Sequence, residues 1–555
     1  MRKLFALLLA IAVPAAANEV SYHSLQSGTS FGPTPLTDHG LHGEGQIVAV
    51  LDTGVDYDNC YFAEADHSAP PINTGTPAGG FAWQNINPGR HKIIAYDFLY
   101  SCDQFPGMTA CDDPKNPAAY DNQGHGTHAA ATALGDRGTP VAHDYGDGLA
   151  TAAQLIVQDA GVDLNDACTL RPGIGCPVAI TPILDQAYKQ GARIHSNSWG
   201  DRQGTPPPFN PPTANYSAAA RDVDAFVYSH PDMLVVFNTG NYGATSAPPP
   251  SSLSAPGCAK NTLQVGGTRV PGRDDDTIAN YSLVGPTRDG RIKPDLVGPA
   301  YVLAGDTDFN SKSNNCDYSY QGGTSWASPS IAGAAALVRQ YYTAGYYPSG
   351  APVSSDAFTP SAALLKATLI AGARSVPIAW NGVSNTGGPA QPAPSYQQGF
   401  GFPVLHDVLA LPGDVRRLRV VDVPLQNGLA QGDTANIRVN VRAGTPLKAV
   451  LVWTDPAGVV RGVSDTTPEL VNDLDLSVTP ALTGPIFGND SLHPGQPDRL
   501  NNVEVVSIPQ PAAGVYTINV NAARIGSGPR QSYALVITGD FGSDAPVGRV
   551  RSVRH

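Results

Sequence analysis

A carboxylate, an imidazole and a hydroxyl that meet in space can break an acyl bond, and three widely separated residues are candidates for these parts. Asp52 directly follows the apolar run Ile47–Leu51, His125 lies between two glycines, and Ser325 follows Gly-Gly-Thr. In such a set the hydroxyl attacks the carbonyl carbon, the imidazole takes the hydroxyl proton, and the carboxylate fixes the imidazole tautomer. Asp52, His125 and Ser325 are therefore the candidate catalytic residues.

Asp52 lies where a buried strand is predicted to end. At the carboxyl edge of a parallel sheet, its carboxylate could accept a hydrogen bond from the Nδ1–H of a histidine. The alternative is a strand-end aspartate that caps the next turn, and the residue alone favours neither interpretation.

His125 precedes an alanine-rich stretch that is predicted to be helical. A histidine at such a helix start can act as a general base. The alternative is a metal site formed with His128, because the two histidines are three positions apart. No Glu or further His lies nearby, so this alternative is disfavoured. His128 is expected to be a buried structural side chain.

Ser325 is predicted to open a helix, where backbone N–H groups lack intrahelical acceptors and the dipole is positive. Its own N–H could donate to an oxyanion. The alternative is an ordinary N-cap serine. Ala327 stands where the Gly-x-Ser-x-Gly elbow of esterases and lipases has its second glycine, which argues against that class.

Asn241 follows the apolar run Met233–Phe237, within Asn238–Gly243. A side-chain amide at the carboxyl end of a strand could supply a second oxyanion donor. The alternative is a turn asparagine, and Asn241 taken alone would be interpreted that way.

The elements that must position these residues alternate between strands and helices up to about residue 270. Apolar runs without polar alternation are typical of parallel strands buried on both faces. Alternating strands and helices predict a doubly wound α/β domain with its site at the carboxyl ends of the strands. The predicted strands are Ile47–Leu51, Leu155–Val157, Ala192–His195, Met233–Phe237 and Thr262–Val265, and the predicted helices are Ile180–Lys189, Ser217–Tyr228, Ser325–Tyr342 and Pro360–Ala373.

After about residue 412 the pattern becomes that of short strands without helices between them. Ile437, Val439 and Val441 alternate with polar residues, as strand residues with one buried face do. This pattern predicts an all-β sandwich or jelly-roll domain. The expected organisation is a signal peptide at 1–17, a catalytic domain at 18–411, a β-sandwich at 412–543 and a flexible tail at 544–555.

The N-terminus has a basic start, a short apolar run and an Ala-x-Ala end, which predicts a secretory signal peptide cleaved after Ala17. A secreted protein, extracellular or periplasmic, is therefore expected. The alternative, a buried N-terminal helix, is disfavoured. No other stretch is apolar for long enough to span a membrane. The net charge of −13 argues against nucleic acid as the main partner, because phosphate binding needs a basic face.

Seven cysteines fit an oxidising compartment. Cys102 with Cys111 and Cys168 with Cys176 could close small loops, and Cys258 with Cys316 is a candidate long-range bridge. The odd count leaves at least one thiol outside these bridges, and the sequence does not fix the connectivity.

The chain order Asp52, His125, Asn241, Ser325 is the order of the subtilisin-like serine proteases. The sequence resembles that family at Val50–Gly54, His125–His128, Thr239–Asn241 and Gly323–Pro329. It is most similar to the branch of KP-43-like alkaline proteases, which carry a β-sandwich after the catalytic domain. The C-terminal segments that carry this second resemblance are Lys448–Asp455, Leu470–Leu476 and Asn501–Glu504.

The resemblance implies a monomeric endopeptidase that acts on proteins or peptides. Ser196–Gly200 looks like the family's substrate-pairing segment, which assigns substrate binding to Ser198, Trp199 and Gly200, and the Asn241 block adds Gly240. Catalysis would need no cofactor. A structural calcium is possible by resemblance, with Asp473 and Asp475 as candidate ligands, although strand-edge polar residues are the favoured interpretation.

Two departures from the family are visible. Most secreted subtilisins have a long inhibitory prodomain before the catalytic domain, whereas only residues 18–51 separate the predicted cleavage site from Asp52. Trp326 stands where Met is more usual, and a change in packing is expected there rather than a loss of activity.

Three other functions are alternatives to a serine endopeptidase. A catalytically weak or inactive homologue that binds a surface or polymer is disfavoured because no triad residue is missing. A sedolisin-type acid protease would have Glu in place of His125 and Asp in place of Asn241. A serine esterase would have the nucleophile elbow that Ala327 interrupts.

Overall fold

The computed structural model describes residues 17–74, 85–99, 120–121, 123–138, 143–160, 179–200, 214–242, 248–269, 277–379, 388–462, 464–481 and 483–542. The predicted Cys102–Cys111 and Cys168–Cys176 loops, the first 16 residues of the predicted signal peptide and the predicted tail lie outside the described residues.

The first part of the chain, up to residue 403, alternates between strands and helices as predicted. Each of the five predicted strands appears, displaced by at most three residues at either end. Its elements are α1 (Ala17–Ser27), α2 (Pro35–Asp38), β1 (Ile47–Asp52), β2 (Ile72–Thr74), β3 (Ile93–Phe98), α3 (His125–Leu134), β4 (Gln154–Asp159), α4 (Ile180–Lys189), β5 (Ile194–Asn197), α5 (Ala218–Ser229), β6 (Leu234–Asn238), β7 (Leu263–Thr268), β8 (Thr277–Ile278), β9 (Leu296–Pro299), β10 (Tyr301–Gly305), β11 (Tyr318–Gly322), α6 (Thr324–Thr343), α7 (Ala362–Ala371), β12 (Ala373–Arg374), β13 (Ile378–Ala379), β14 (Gly388–Pro389) and β15 (Phe402–Pro403).

Most of these strands form one mainly parallel sheet. Among the described residues its order is β14-β13-β8-β7-β6-β5-β1-β4-β3-β2, and β9 also pairs with β7. Strands β3, β4, β1, β5, β6 and β7 run parallel to one another within this sheet, whereas β8 is antiparallel to β7. Asp52 at the end of β1 lies at the carboxyl edge, as the sequence pattern predicted. Because β1 lies between β4 and β5, this position is inside the sheet and not at its margin.

Apolar layers cover both faces of this sheet. Helices α3 and α6 contribute their small residues to the larger layer, and α4 and α5 cover the opposite face. Helix α6 is buried over nearly its whole length, which its run of Ala and Gly residues permits because small side chains allow close packing. The two helices that carry His125 and Ser325 are therefore fixed against each other and against the sheet.

The C-terminal β-region, residues 417–539, forms two four-stranded antiparallel sheets in the described part of the chain. Their inward-facing side chains form one shared apolar cluster, with Trp453 among its fully buried members. Outward residues alternate with these, as in the strand Thr434–Val441. The strands are β16 (Arg417–Val423), β17 (Thr434–Val441), β18 (Leu447–Val452), β19 (Asn472–Pro480), β20 (Ile486–Phe487), β21 (Val503–Ile508), β22 (Gly514–Ile525) and β23 (Tyr533–Gly539), with sheet orders β16-β23-β18-β21 and β17-β22-β19-β20.

The C-terminal β-region packs directly on the first part of the chain. Helix α7 lies against β18 and β23. Val450, Val452 and Val536 belong to the same apolar cluster as the core of the first part. Helix α7 therefore covers the outer face of the β16-β23-β18-β21 sheet.

The structure contains one disulfide among its described residues, and it joins Cys60 to Cys316. The expected bridge between Cys258 and Cys316 is therefore wrong. Cys258 is a buried thiol whose Sγ lies 3.5 Å from the Ser254 carbonyl oxygen, on the loop between β6 and β7. Chain separation could not distinguish these partners, because the loop after Asp52 and the loop before β11 meet only in the folded molecule.

Candidate active site

Asp52 and His125 are in direct contact at the carboxyl edge of the sheet. His125 Nδ1 lies 2.6 Å from Asp52 Oδ1, and the same oxygen accepts a hydrogen bond from the Thr53 backbone N–H at 2.8 Å. The Asp52 side chain is 1% exposed, whereas the His125 side chain is 32% exposed. A carboxylate in this position holds the proton on Nδ1, so Nε2 of the neutral ring is left as the basic nitrogen.

The start of α3 is held in place by Asp121, which the sequence interpretation did not single out. Asp121 Oδ1 accepts from the Gly124 N–H at 2.9 Å, and Oδ2 accepts from the N–H and hydroxyl of Thr127 at 2.9 and 2.6 Å. These are N–H groups at a helix start, which have no intrahelical acceptor. An acidic residue four positions before the predicted helix was the available signal.

Gly126 lets the start of α3 approach the end of β1. A Cβ at Gly126 would lie 2.0 Å from the carbonyl oxygen of Gly54, a distance that no side chain can tolerate. The Gly126 N–H also donates to Thr53 Oγ1 at 2.8 Å. Steric exclusion therefore explains why a glycine follows His125, since a side chain at this position would push the histidine away from Asp52.

The pKa of His125 reflects two opposing effects. Burial lowers it, but the charge and the hydrogen bond of Asp52 outweigh burial and raise the pKa above the ordinary value of 6.5. The imidazolium that forms when His125 accepts a proton is thus stabilised by its partner.

His128 is a buried structural side chain, as predicted. It is 0% exposed, and its Nε2 lies 3.1 Å from the Ser319 carbonyl oxygen. Burial lowers its pKa to about 4, so the ring is neutral at neutral pH. The Trp326 ring packs against both histidines, with centroid distances of 4.8 Å to His125 and 4.2 Å to His128.

Ser325 is the second residue of α6 and is 8% exposed. Its hydroxyl donates to the Ser198 carbonyl oxygen at 3.3 Å, and the Ser198 hydroxyl donates to the Ser325 carbonyl oxygen at 2.6 Å. No hydrogen bond joins Ser325 Oγ to His125 among the described residues, although the neighbouring Trp326 touches the His125 ring. The structure therefore brings the serine beside the Asp52–His125 pair, with its hydroxyl turned towards Ser198.

Asn241 lies next to the helix start that carries Ser325. Its Oδ1 accepts from the Thr324 backbone N–H at 2.8 Å and from the Thr324 hydroxyl at 3.0 Å. Because a backbone N–H can only donate, the atom facing it must be the amide oxygen, so the amide NH₂ faces away from Thr324. Asn241 itself is exposed, which leaves that NH₂ accessible beside the serine.

The four residues expected to bind substrate line the ends of β5 and β6. Ser198 follows β5 and is joined to Ser325 by the two hydrogen bonds already described. The Trp199 ring packs edge-on against Phe237 with centroids 5.3 Å apart. Gly200 and Gly240 are both partly exposed and both face Ser254. The sequence-based set is thus gathered at one edge of the sheet.

The two candidate calcium ligands lie elsewhere, on β19. Arg499 Nη1 lies 3.1 Å from Asp473 Oδ2 and also contacts Asp475 Oδ1. This guanidinium already occupies the position between the two carboxylates, so they do not fit a cation held between them. Among the described residues, no group of three or more His, Cys, Asp or Glu side chains is arranged to hold a metal ion.

Comparison with known proteins defines the class to which this fold and site belong. The profile of the Subtilase family of peptidases matches residues 43–401, which include Asp52, His125, Asn241 and Ser325. The chain belongs to this family of serine peptidases.

Individual relatives are distant in sequence. The chain is 27% identical to the Serine protease/ABC transporter B family protein tagA of Dictyostelium discoideum, over 94% of this chain and 32% of that protein. It is 26% identical to the Subtilisin-like protease PopC of Myxococcus xanthus, over 54% of this chain and 52% of that protein. A solved structure titled S41 Psychrophilic Protease covers 66% of this chain and 92% of its own, with 20% identity and a TM-score of 0.38. The chain spans about a third of the length of the Dictyostelium relatives that it matches.

No helix in the described ranges has the length and hydropathy needed to cross a membrane.

Proposed function

We propose that this chain is a secreted serine endopeptidase that cleaves proteins through Asp52, His125 and Ser325. The observation that carries the proposal is the 2.6 Å contact between His125 Nδ1 and the buried Asp52 carboxylate. Ser325 lies nearby, as the second residue of α6. In a chain of a serine-peptidase family, this pair has the orientation that a general base requires.

In the proposed mechanism a peptide pairs beside Ser198–Gly200 in extended form. The Ser325 hydroxyl turns from the Ser198 carbonyl to Nε2 of His125, which takes its proton as the oxygen attacks the substrate carbonyl. His125 then gives this proton to the leaving amine. Water attacks the resulting acyl-enzyme by the same route and releases Ser325.

Two donors stabilise the oxyanion that forms during attack. The Asn241 amide NH₂ is one, because its oxygen is engaged by Thr324. The Ser325 backbone N–H is the other, because the second residue of a helix has no carbonyl four positions earlier within that helix. The positive end of the α6 dipole adds to this field. Catalysis in this scheme uses no metal or organic cofactor.

We infer secretion from the predicted cleavage near Ala17, and the core argues against a cut much further along the chain. Val20 and Leu25 on α1 are 0% exposed, so a cut beyond them would remove core residues from the mature protein. N-terminal sequencing of exported protein tests this, and a mature chain starting beyond Leu25 would contradict it.

The finer assignment is a monomer of the KP-43-like branch, with a jelly-roll sandwich after the catalytic domain. The two facing four-stranded sheets of the C-terminal β-region support a sandwich. A structural calcium outside the Asp473–Asp475 pair remains a proposal from family resemblance. Thermal unfolding with and without EDTA tests it, since an unchanged midpoint would contradict a stabilising calcium.

The central test compares the purified protein with its Ser325→Ala variant on casein and with a fluorophosphonate probe. Hydrolysis and labelling should both be lost in Ser325→Ala, by about a millionfold in kcat if the enzyme behaves as subtilisin itself does. Ser330→Ala is the matched control, because Ser330 lies on the same helix and, within the described part of the chain, its hydroxyl bonds the Trp326 carbonyl alone. Equal casein hydrolysis by the wild type and Ser325→Ala would refute the mechanism.

One observation favours the alternative of a weak or inactive homologue that binds a surface or polymer. The Ser325 hydroxyl donates to the Ser198 carbonyl rather than to His125. Absence of both fluorophosphonate labelling and casein hydrolysis in folded wild-type protein would support this alternative.

A further inference from the structure

A single hydroxyl lies between the two glycines at the ends of β5 and β6. A Cβ built on Gly200 would lie 2.5 Å from Ser254 Oγ, and one built on Gly240 would lie 3.2 Å from the same atom. Ser254 is 3% exposed, and its Oγ has no hydrogen-bond partner among the described residues. The Ser254 side chain therefore occupies the space that side chains at positions 200 and 240 would otherwise fill.

This space adjoins the nucleophile. Gly200 is two residues from Ser198, whose hydroxyl donates to the Ser325 carbonyl at 2.6 Å. Gly240 directly precedes Asn241, which bonds the start of α6. In the proposed function, a substrate strand beside Ser198–Gly200 would direct the side chain before the scissile bond into the gap between these two chain segments. Ser254, whose Oγ lies near both glycines, would close the inner end of that gap.

Hydrogen bonds also fix the backbone around Ser254, so its side chain cannot move away from the two glycines. It belongs to the pocket-wall segment, residues 252–262, in which every residue is buried. The Ser254 N–H donates to the Thr239 carbonyl at 3.0 Å. At the other end of the segment, Lys260 Nζ lies 2.5 Å from Asp455 Oδ2 and donates to the carbonyl oxygens of Pro456 and Glu469 at 2.6 and 2.8 Å.

All three of these acceptors lie in the C-terminal β-region, and both members of the Lys260–Asp455 pair have side chains that are 0% exposed. Asn261 strengthens the same junction, because its amide donates to the Asp455 carbonyl at 2.9 Å and its oxygen accepts from the Asp455 N–H at 2.9 Å. The pocket-wall segment is thus anchored to the C-terminal β-region.

We infer that Ser254 sets the depth of the substrate pocket and restricts the residue before the scissile bond to small side chains such as Ala or Ser. This inference rests on the proposed function. A large side chain would have to displace Ser254, and the anchored wall resists that displacement. A small side chain fits in front of the hydroxyl without moving it.

The test uses the full chain and two fluorogenic peptides that differ only in having Ala or Phe before the scissile bond. The wild type should cleave the Ala peptide with the higher kcat/KM. Ser254→Gly should raise the Phe-to-Ala ratio of kcat/KM by about tenfold or more, the size expected for opening a pocket by one or two heavy atoms. Ser254→Val should lose cleavage of the Ala peptide while it still labels with a fluorophosphonate, because the nucleophile is untouched.

These variants should fold, because the Ser254 hydroxyl makes no hydrogen bond within the described part of the chain that the substitutions would remove. Ser395→Gly is the matched control, since the Ser395 hydroxyl is also buried without a described partner but is not among the atoms nearest to either glycine. Its Phe-to-Ala ratio should equal that of the wild type. A ratio in Ser254→Gly within about twofold of the wild type overturns the inference alone, whereas a wild type that neither cleaves nor labels overturns the proposed function as well.

Discussion

In the proposed mechanism, His125 uses its two ring nitrogens for different tasks. Nδ1 faces Asp52 at 2.6 Å, which leaves Nε2 to exchange protons with Ser325 and the leaving group. The general base must be neutral to act, and Asp52 raises the pKa at which it becomes neutral. The residue that orients the base therefore also sets the lower limit of the pH range for activity.

The pH dependence of kcat/KM should show this directly. Activity should rise through an apparent pKa above 6.5 and stay high at alkaline pH, because protonated His125 cannot accept the Ser325 proton. Because the folded-state pKa is raised, the charged pair stabilises the fold at low pH, and that contribution disappears as the pH rises through the raised value. A fluorogenic peptide assayed from pH 4 to 10 measures the profile, and a maximum near pH 4 would contradict it.

Asp52→Asn should lower kcat by about 10⁴-fold, the size found for this change in other serine peptidases. The amide cannot hold the imidazolium, and it no longer raises the pKa of His125. The acid limb of whatever activity remains should therefore move to lower pH. An Asp52→Asn enzyme with wild-type kcat would show that Asp52 is only a turn cap.

In the proposed mechanism, Asn241 has two functions that one substitution can separate. Asn241→Asp keeps an oxygen for the Thr324 N–H but removes the NH₂ that would face the oxyanion. We expect kcat to fall by about 10²–10³-fold with little change in KM, the loss known for the corresponding donor in subtilisin. Thermal unfolding should stay close to that of the wild type, and a fall in KM alone or no loss of rate would contradict this role.

At the scale of elements, the sequence predicted the parallel core better than the hairpin beside the site. Strands such as β1 and helices such as α4 are marked by apolar runs whose burial decides their structure. The residues of the strand Tyr318–Gly322 are all exposed or half-buried, and among the described strands it pairs with β10 alone, so no apolar pattern marked it. Long-range proximity had no local signal either, which is why Cys316 was assigned the wrong partner.

The same limit applies to the residues that support the site. Asp52, His125, Asn241 and Ser325 could be found because the family's motifs surround them. Asp121 had only its position four residues before His125 as a signal, and Ser254 had none, because their importance arises from contacts with α3 and with Gly200 and Gly240 that exist only after folding.

The junction between α3 and β1 can be tested with Gly126→Ala. The added Cβ would lie 2.0 Å from the Gly54 carbonyl oxygen, so α3 must shift away from Asp52. We expect kcat to fall by at least about tenfold, because small misplacements of a base are costly in rate. Gly484→Ala, where a Cβ would meet nothing within 4 Å and φ is not positive, is the control for the glycine change itself. Equal kcat values in the two variants would show that the close approach does not position His125.

At the scale of the whole molecule, the buried Lys260–Asp455 pair joins the pocket-wall segment to the C-terminal β-region. Lys260→Met should lower the free energy of unfolding by about 3–5 kcal/mol, because it leaves the Asp455 carboxylate buried without its partner. Urea unfolding of the full chain measures this loss. Lys189→Met is the control, since the Lys189–Asp185 pair lies on the exposed face of α4 and should contribute little.

Lys260→Met also distinguishes a purely structural junction from one that shapes the pocket. If the C-terminal β-region holds Ser254 in place, the variant should accept the Phe peptide better relative to the Ala peptide than the wild type does, under conditions where both are folded. A lower stability with an unchanged Phe-to-Ala ratio would mean that the wall keeps its position without the ion pair. The C-terminal β-region would then stabilise the catalytic part of the chain without controlling which side chains it accepts.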